Sequence, residues 1–255
     1  MKRSDDLPLT IRPVVGMDDS YPAGYVDGFH SHERSQLSYA LTGVMSVVTD
    51  TSSFVLPPNR AIWLPAGTRH EVSCRGPVTL NVLYVDPDLP GQPRHCRVFD
   101  VSPLVRALID EVITFEHAYD EQGREGRIVS LLLDEVGRMP DIALSAPTPQ
   151  DRRLRRVCDM IIADPADRRD LDDFAKIAGM GRRTFTRAFR HQTGMGFAMW
   201  RQQVRLMAAI SLLGEGQSIT NIAYDVGYES ASSFTAMFHR VLGVPPSHYA
   251  RQQGA

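Results

Sequence analysis

Hydrophobic and polar positions along this chain change their period once, near residue 95. Upstream, from 14 to about 88, the apolar residues fall in short alternating or continuous runs. Leu37, Tyr39 and Leu41 alternate with polar or small neighbours, and Val44 and Val48 flank Ser46. Phe54-Val55-Leu56 and Ile62-Trp63-Leu64 are apolar runs closed by turn residues, Pro57-Pro58-Asn59 and Pro65-Ala66-Gly67. Val78 to Val85 predicts a further strand. Short strands at intervals of about 8–12 residues predict a sandwich or small barrel.

After His95 the pattern reads as helical. Ser102-Pro103 predicts an N-cap followed by proline in the first turn, with Leu104, Val105, Leu108, Ile109, Val112 and Ile113 on one face. A second helix is predicted over 124–138, with Ile128, Leu131, Leu132 and Val136 as its stripe. The stretch Pro140 to Pro149 has three prolines and no periodicity, so it reads as a linker, and Thr148-Pro149 predicts the cap of the next helix. The expected division is 1–95 as a β domain, 96–140 as a helical dimerisation or connector segment, 141–149 as linker and 150–255 as an all-helical domain.

The helical domain repeats itself. Leu171 to Phe189 reads LDDFAKIAGMGRRTFTRAF, and Ile219 to Phe238 reads ITNIAYDVGYESASSFTAMF. Ala175 and Gly179 match Ala223 and Gly227 at a spacing of 48, and Phe185 and Phe189 match Phe234 and Phe238 at 49. The second copy therefore holds one extra residue in its turn. Two helices crossing steeply need a small residue at the contact, and the sharp turn between them needs one that tolerates positive φ. Two aromatics four apart anchor the following helix inward. Asp170 and Ser218 suit the N-cap positions. This is the layout of a helix-turn-helix, given twice. The intervening Phe197 to Leu213 carries Phe197, Trp200, Val204, Met207 and Ser211 at helical spacing. A helix of about 17 residues spans roughly 25 Å, enough to set two reading heads about one DNA turn, roughly 34 Å, apart.

Residues from about 150 to 251 resemble the AraC/XylS-type DNA-binding domain, on AGMGRRTFTRAFRHQTG (178–194), FAMWRQQVRLMAAISLL (197–213) and ITNIAYDVGYESASSFTAMFHRVLGVPPSHY (219–249). The resemblance implies seven helices and transcriptional activation or, in some members, repression. Once the inward aromatics are removed, Arg182, Arg183, Thr186, Arg187 and Arg190 remain outward in the first head. Arginine suits guanine O6/N7 through a bidentate bond, and the resemblance also points to Arg183, Thr186 and Arg187; the same arginines suit phosphates equally well. In the second head the outward residues are Ala231, Ser232, Ser233, Thr235 and Ala236, all short and uncharged. Relatives often carry a longer polar or basic side chain at the place of Ala236. The first head is therefore expected to supply most base readout. The second is expected to add phosphate anchoring through Ser230, His239 and Arg240, together with shape reading.

Upstream, HSHERSQLSYALTG (30–43) resembles the first cupin motif, with His30, His32 and Gln36, and Pro65 to His70 resembles the second. The expected fold is thus α+β in two domains: a cupin-like, jelly-roll barrel with a helical hairpin, then an all-α domain with two helix-turn-helix units. Metal-binding cupins usually carry glutamate where this chain has Gln36. Two readings stand for His30, His32, Gln36 and His70: a divalent metal site, or histidines that line a polar effector pocket or bond the strands. Tyr39, Met45 and Trp63 are candidate pocket walls, though each such residue is more often plain core. No cofactor is expected to be required, and a divalent metal at these four residues is the candidate.

Bulk properties are compatible with this picture. The chain has 255 residues, 43% hydrophobic and 23% charged, ordinary for a globular protein. Residues 1–150 hold 13 Lys+Arg against 20 Asp+Glu, whereas 151–255 hold 15 against 10, so only the latter part suits a polyanion. Cys74, Cys96 and Cys158 form neither a zinc pattern nor a disulfide framework. Met1 to Thr10 has no apolar core of a secretory signal, and no apolar run approaches 18 residues, so a cytoplasmic address off the membrane is expected. The expected partners are double-stranded DNA, RNA polymerase, a small-molecule effector and a second copy of the chain. The competing class is a metal-dependent cupin enzyme or metal sensor fused to a DNA-binding domain. Gln36 and the lack of an evident nucleophile or acid/base pair count against the enzyme.

Overall fold

The computed structural model describes residues 12–74, 76–116, 118–142 and 144–247. The chain divides into two compact units, Met1–Val47 with Leu56–Ile142, and Val48–Val55 with Ala143–Ala255. Strands β1 (Val14–Tyr21), β2 (Val26–His30), β3 (Ser35–Thr42), β4 (Met45–Thr49), β5 (Ser52–Leu56), β6 (Arg60–Leu64), β7 (His70–Cys74), β8 (Val78–Val85) and β9 (Arg97–Asp100) precede helices α1 (Pro103–Ile113) and α2 (Arg124–Arg138). Then follow β10 (Ser145–Pro147) and helices α3 (Arg152–Ala163), α4 (Leu171–Ile177), α5 (Arg182–Thr193), α6 (Phe197–Gly214), α7 (Ile219–Asp225) and α8 (Ala231–Leu242). Of the seven helices implied for the C-terminal domain, α3 to α8 are complete within the described residues, and Pro246 and Ser247 are also helical. His248 and Tyr249 of the last motif lie outside the described residues.

One five-stranded sheet has the order β1-β8-β3-β6-β9 and the other β10-β5-β4-β7-β2. Strand β3 is buried from Ser35 to Ala40, because both faces of its sheet are covered. Leu37 and Tyr39 join Trp63, Leu83, Val105, Ile109, Leu132 and Val136 in the core beneath α1 and α2. Gln36 and Ser38 have the opposite pleat and turn toward the barrel interior. Ser102 caps α1 by accepting from Val105 N, with proline in the first turn, as its sequence predicts. Full burial of Val105, Ile109 and Val112 stabilises the packing by about 1.5–3 kcal/mol each.

Several expectations need correction. The chain does not turn helical directly after His95. Arg97–Asp100 pairs with β6, Arg60 opposite Asp100, and four residues on an edge strand are too few to show a period. The helical stripes are shifted: Leu104 is 47% and Leu131 42% exposed, whereas Val129 is buried and Ile128 only partly so. The proline-rich stretch contains an ordered strand, Ser145 to Pro147 opposite Phe54 to Ser52. Thr148 is not a cap. Asp151 is, accepting from Arg153 N, because its carboxylate stands one residue before the first helical turn.

The repeat appears in the backbone atom for atom. Gly179 N donates to Lys176 O and Met180 N to Ala175 O; Gly227 N donates to Tyr224 O and Tyr228 N to Ala223 O. Both glycines have positive φ, 63° and 81°, as the turn geometry demands. Asp170 closes a capping box with Asp173, and Ser218 caps α7. The reading helices also stop alike, at Gly194 (φ 75°) and Gly243 (φ 74°), each donating N–H four residues back. This last pair, also 49 apart, extends the repeat beyond the positions recognised in the sequence. Among the described residues no helix is long and apolar enough to cross a membrane.

The two turn glycines differ in surroundings. A Cβ on Gly179 meets nothing within 4 Å, whereas on Gly227 it would lie 2.6 Å from Arg205 Nη2 and 3.0 Å from Ala166 Cα. Gly179→Ala is expected to cost about 1–2 kcal/mol, from the backbone alone, and Gly227→Ala distinctly more. Thermal unfolding of the two variants checks this; equal drops in Tm would show that the crowding at Gly227 relaxes freely.

Candidate functional site

The reading helices α5 and α8 each bury one aromatic stripe and expose the opposite face. Phe185, Phe189, Phe234 and Phe238 are fully buried. Phe185 and Phe189 pack edge-on against Phe197 of α6, with ring centroids 5.1 and 5.2 Å apart, and Phe189 also meets Trp200 at 5.7 Å. Trp200 Nε1 donates to Pro147 O at 2.8 Å. In the second head Phe234 packs between Tyr228 and Phe238. Phe197, Trp200, Val204, Met207 and Ser211 are all buried on α6, as their spacing predicts.

With the aromatics inward, Arg182, Arg183, Arg187 and Arg190 are exposed and Thr186 half-buried. They are not equivalent. Arg182 is engaged by Asp172 of α4 at 3.0 Å, and Thr186 Oγ1 donates to the carbonyls of Arg182 and Arg183. Thr186 and Arg190 border a cleft of about 980 Å³ between α5, α6 and the turn before α8. On α8, Ser232, Ser233, Ala236, His239 and Arg240 are exposed, and Ala231 and Thr235 half-buried. Ser230 accepts from Ser233 N as the N-cap of α8, a role its sequence position did not announce. A shallow groove runs past Ser232, Ala236, His239 and Pro245.

In the other unit, His30 at the end of β2 pairs with His70 at the start of β7. With His32 they form a cluster whose ligand atoms all lie within 4.8 Å of one another. His30 Nδ1 donates to Gly28 O at 2.8 Å and His70 Nδ1 to Thr68 O at 2.9 Å. In the neutral ring this leaves Nε2 as the acceptor. Among the described residues, buried His70 Nε2 and Gln36 Oε1 have no hydrogen-bond partner, while Gln36 Nε2 donates to Ser38 Oγ at 3.0 Å. Burial, then the neighbouring His70 and His30, hold the His32 pKa down from 6.5 to about 4. Burial likewise lowers that of His70.

The structure brings His30, His32, His70 and Gln36 together but places Tyr39 and Trp63 elsewhere. Both lie in the core beneath α1 and α2, on the opposite face of their strands from Gln36, and Trp63 Nε1 donates to Pro93 O. Met45 is buried on β4. The ring that does meet the cluster is Tyr84, edge-on to His32 at 5.3 Å. Its register opposite Gln36 becomes legible only once β3 and β8 are paired.

Two helix-turn-helix units on one connecting helix define a DNA-binding protein, and the barrel of the other unit a small-molecule domain. The family model for a helix-turn-helix domain matches residues 174–252, and that for a cupin domain residues 19–86. The chain is 28% identical over 220 residues to the HTH-type transcriptional regulator NimR of Escherichia coli (strain K12), covering 86% of this chain and 81% of NimR. It is 29% identical over 220 residues to the HTH-type transcriptional regulator RipA of Corynebacterium glutamicum, covering 86% of this chain and 62% of RipA. Among solved structures, ToxT from Vibrio cholerae is similar at 14% identity and a TM-score of 0.41, over 94% of this chain and 99% of ToxT. The chain thus carries an AraC-type helix-turn-helix domain and a cupin domain, and the relatives it matches over most of its length are HTH-type transcription regulators. Its partner is DNA.

The depressed histidines give the fold a pH dependence. Between pH 6.5 and about 4 the unfolded chain binds protons that folded His32 does not, so stability falls as pH falls through this window. His32→Gln is expected to flatten the dependence in urea titrations at pH 7, 6 and 5; an unchanged slope would place its source elsewhere.

Proposed function

We propose that the chain reads two successive major grooves on one face of a duplex, α5 in one and α8 in the next. The observation that supports this best is the repeated geometry: the same turn, the same buried phenylalanine pair and the same exposed opposite face, set on one continuous helix. Arg183 and Arg187 have exposed side chains on the first half of α5 and read base edges. Arg182, held by Asp172, and Arg190 contact phosphates. The short side chains of Ser232, Ser233 and Ala236 let α8 approach the duplex closely and read shape, while His239 and Arg240 anchor its backbone.

The α1–α2 hairpin, with Leu104 and Leu131 exposed, joins two copies into a homodimer, and the complex acts on RNA polymerase at promoters. The free thiols of Cys74, Cys96 and Cys158 suit a reducing cytoplasm. Both long relatives are named as transcription regulators, which favours regulation over an enzyme.

The histidine cluster is the sensing site, where an effector binds. A divalent metal is the second reading, favoured by a particular observation: two buried acceptors, His70 Nε2 and Gln36 Oε1, without partners. His30, His32 and His70 supply three imidazoles and Gln36 a carbonyl oxygen. Such a donor set fits an imidazole-preferring transition metal. Held there, the ion would offer a Lewis-acidic site to an oxygen or nitrogen of the effector.

Arg187→Ala is expected to weaken binding to a selected operator duplex by about 1–3 kcal/mol and relax one base position. Unchanged affinity in electrophoretic shifts would remove α5 from the groove. For the metal, Co²⁺ titration of the full chain followed by absorption is expected to show one site that His70→Ala abolishes. Gln36→Glu should tighten it by roughly tenfold to a hundredfold, the scale on which a metal's surroundings tune its affinity. No Co²⁺ spectrum in either form leaves a metal-free pocket.

A further inference from the structure

Midway along α6, Arg205 touches parts of both reading heads. Its Nε donates to Pro165 O at 2.9 Å and its Nη2 to Asp167 O at 3.3 Å. Both carbonyls belong to the loop that ends in Asp170, the cap of α4 and thus the start of the first head. The other side of the guanidinium lies over the ring of Tyr228, 5.7 Å from its centroid. Tyr228 is in the turn of the second head, directly after Gly227, which presses against Arg205 and Ala166 closely enough to exclude a Cβ.

One turn earlier, Arg201 strengthens the same grip. Its Nη1 donates to Arg169 O at 2.8 Å and its Nη2 to Asp167 O, and it lies over Phe174 of α4 at 5.4 Å. The buried carboxylate of Asp167 is occupied by Arg169 at 2.5 Å. The two α6 arginines are thus used as planar hydrogen-bond forks on backbone carbonyls and as lids on aromatic rings. A flexible ammonium cannot do both at once. Arg201 reaches only the first head, whereas Arg205 reaches both.

We propose that Arg205 is a positioning residue that fixes the separation and orientation of the two reading heads, and so determines which spacing between half-sites the protein accepts. The proposal rests on the two-groove reading above. DNA presents equivalent grooves about every 10–10.5 base pairs, and inserting one base pair turns the second half-site by roughly a tenth of a revolution. Heads braced through one guanidinium follow such a rotation poorly. Heads joined by α6 packing alone adapt, at the expense of the affinity gained from engaging both sites together.

The test is in vitro selection with the full chain from a random duplex library, for the wild type, Arg205→Met, Arg205→Lys and Tyr228→Leu. The wild-type pool is expected to hold two half-sites at one separation. Arg205→Met should keep the same bases within each half-site but spread the separation over neighbouring values, and lose on the order of tenfold in affinity for the best-spaced duplex. Arg205→Lys should not restore the single spacing. Tyr228→Leu, which removes only the aromatic face, should broaden it too and serves if Arg205→Met fails to fold. General destabilisation would lower all affinities without changing the separation. A single sharp spacing in folded Arg205→Met or Tyr228→Leu overturns the brace and leaves the two-groove reading standing. A wild-type pool with only one half-site overturns both.

Discussion

The aromatic contact between Phe185, Phe189, Phe197 and Trp200 is the interaction on which the DNA-binding unit depends. Four rings from two helices meet at 5.1 to 5.8 Å, edge to face between the helices and stacked between Phe185 and Phe189, arrangements that aromatic quadrupoles prefer. Because α5 is amphipathic, seating its phenylalanines on α6 fixes the azimuth of everything opposite them. The arginines point outward because the rings point inward. Phe234 and Phe238 impose the same condition on α8, so one packing rule, used twice, gives two presented faces.

The histidine cluster follows a contrasting logic. Burial holds the pKa of His32 and of His70 down, and the neighbouring imidazoles add to the effect. At two of the three positions, His30 and His70, Nδ1 is tied to a backbone carbonyl. Such a cluster is tuned toward accepting, either a hydrogen from an effector or coordination to an ion. Gln36, in place of a carboxylate, brings no formal charge of its own, while the Asp27 carboxylate stands 3.9 Å from His30 Nδ1.

Much of this was legible in the sequence, and what was not has identifiable causes. The repeat could be read because its determinants are local: a small residue, a positive-φ glycine and an aromatic pair at fixed offsets. The limits of α2 could be read from its flanking turn residues, but its stripe slipped by one position at Val129, since period alone does not say which of two adjacent apolar residues faces the core. β9 and β10 were hidden because strands of four and three residues owe their existence to a partner strand, not to their own pattern. Trp63 and Tyr39 were assigned to the pocket on chemistry; only the pleat of β3 and β6 shows that they face the helices. The cap at Asp151 in place of Thr148 was a choice between two suitable residues that only the helix start decides. Arg205 was invisible as a brace because its partners, Pro165, Asp167 and Tyr228, are distant in sequence.

The two tryptophans lie one to a unit, Trp63 beneath α1 and α2 and Trp200 in the aromatic cluster, and both are wholly buried. Each indole N–H has a backbone carbonyl for partner. The molecule therefore contains two natural optical probes that share no unit. Removing either one leaves an emission signal that belongs to a single half of the chain, so the melting of the sensor and of the DNA reader becomes separable by light alone.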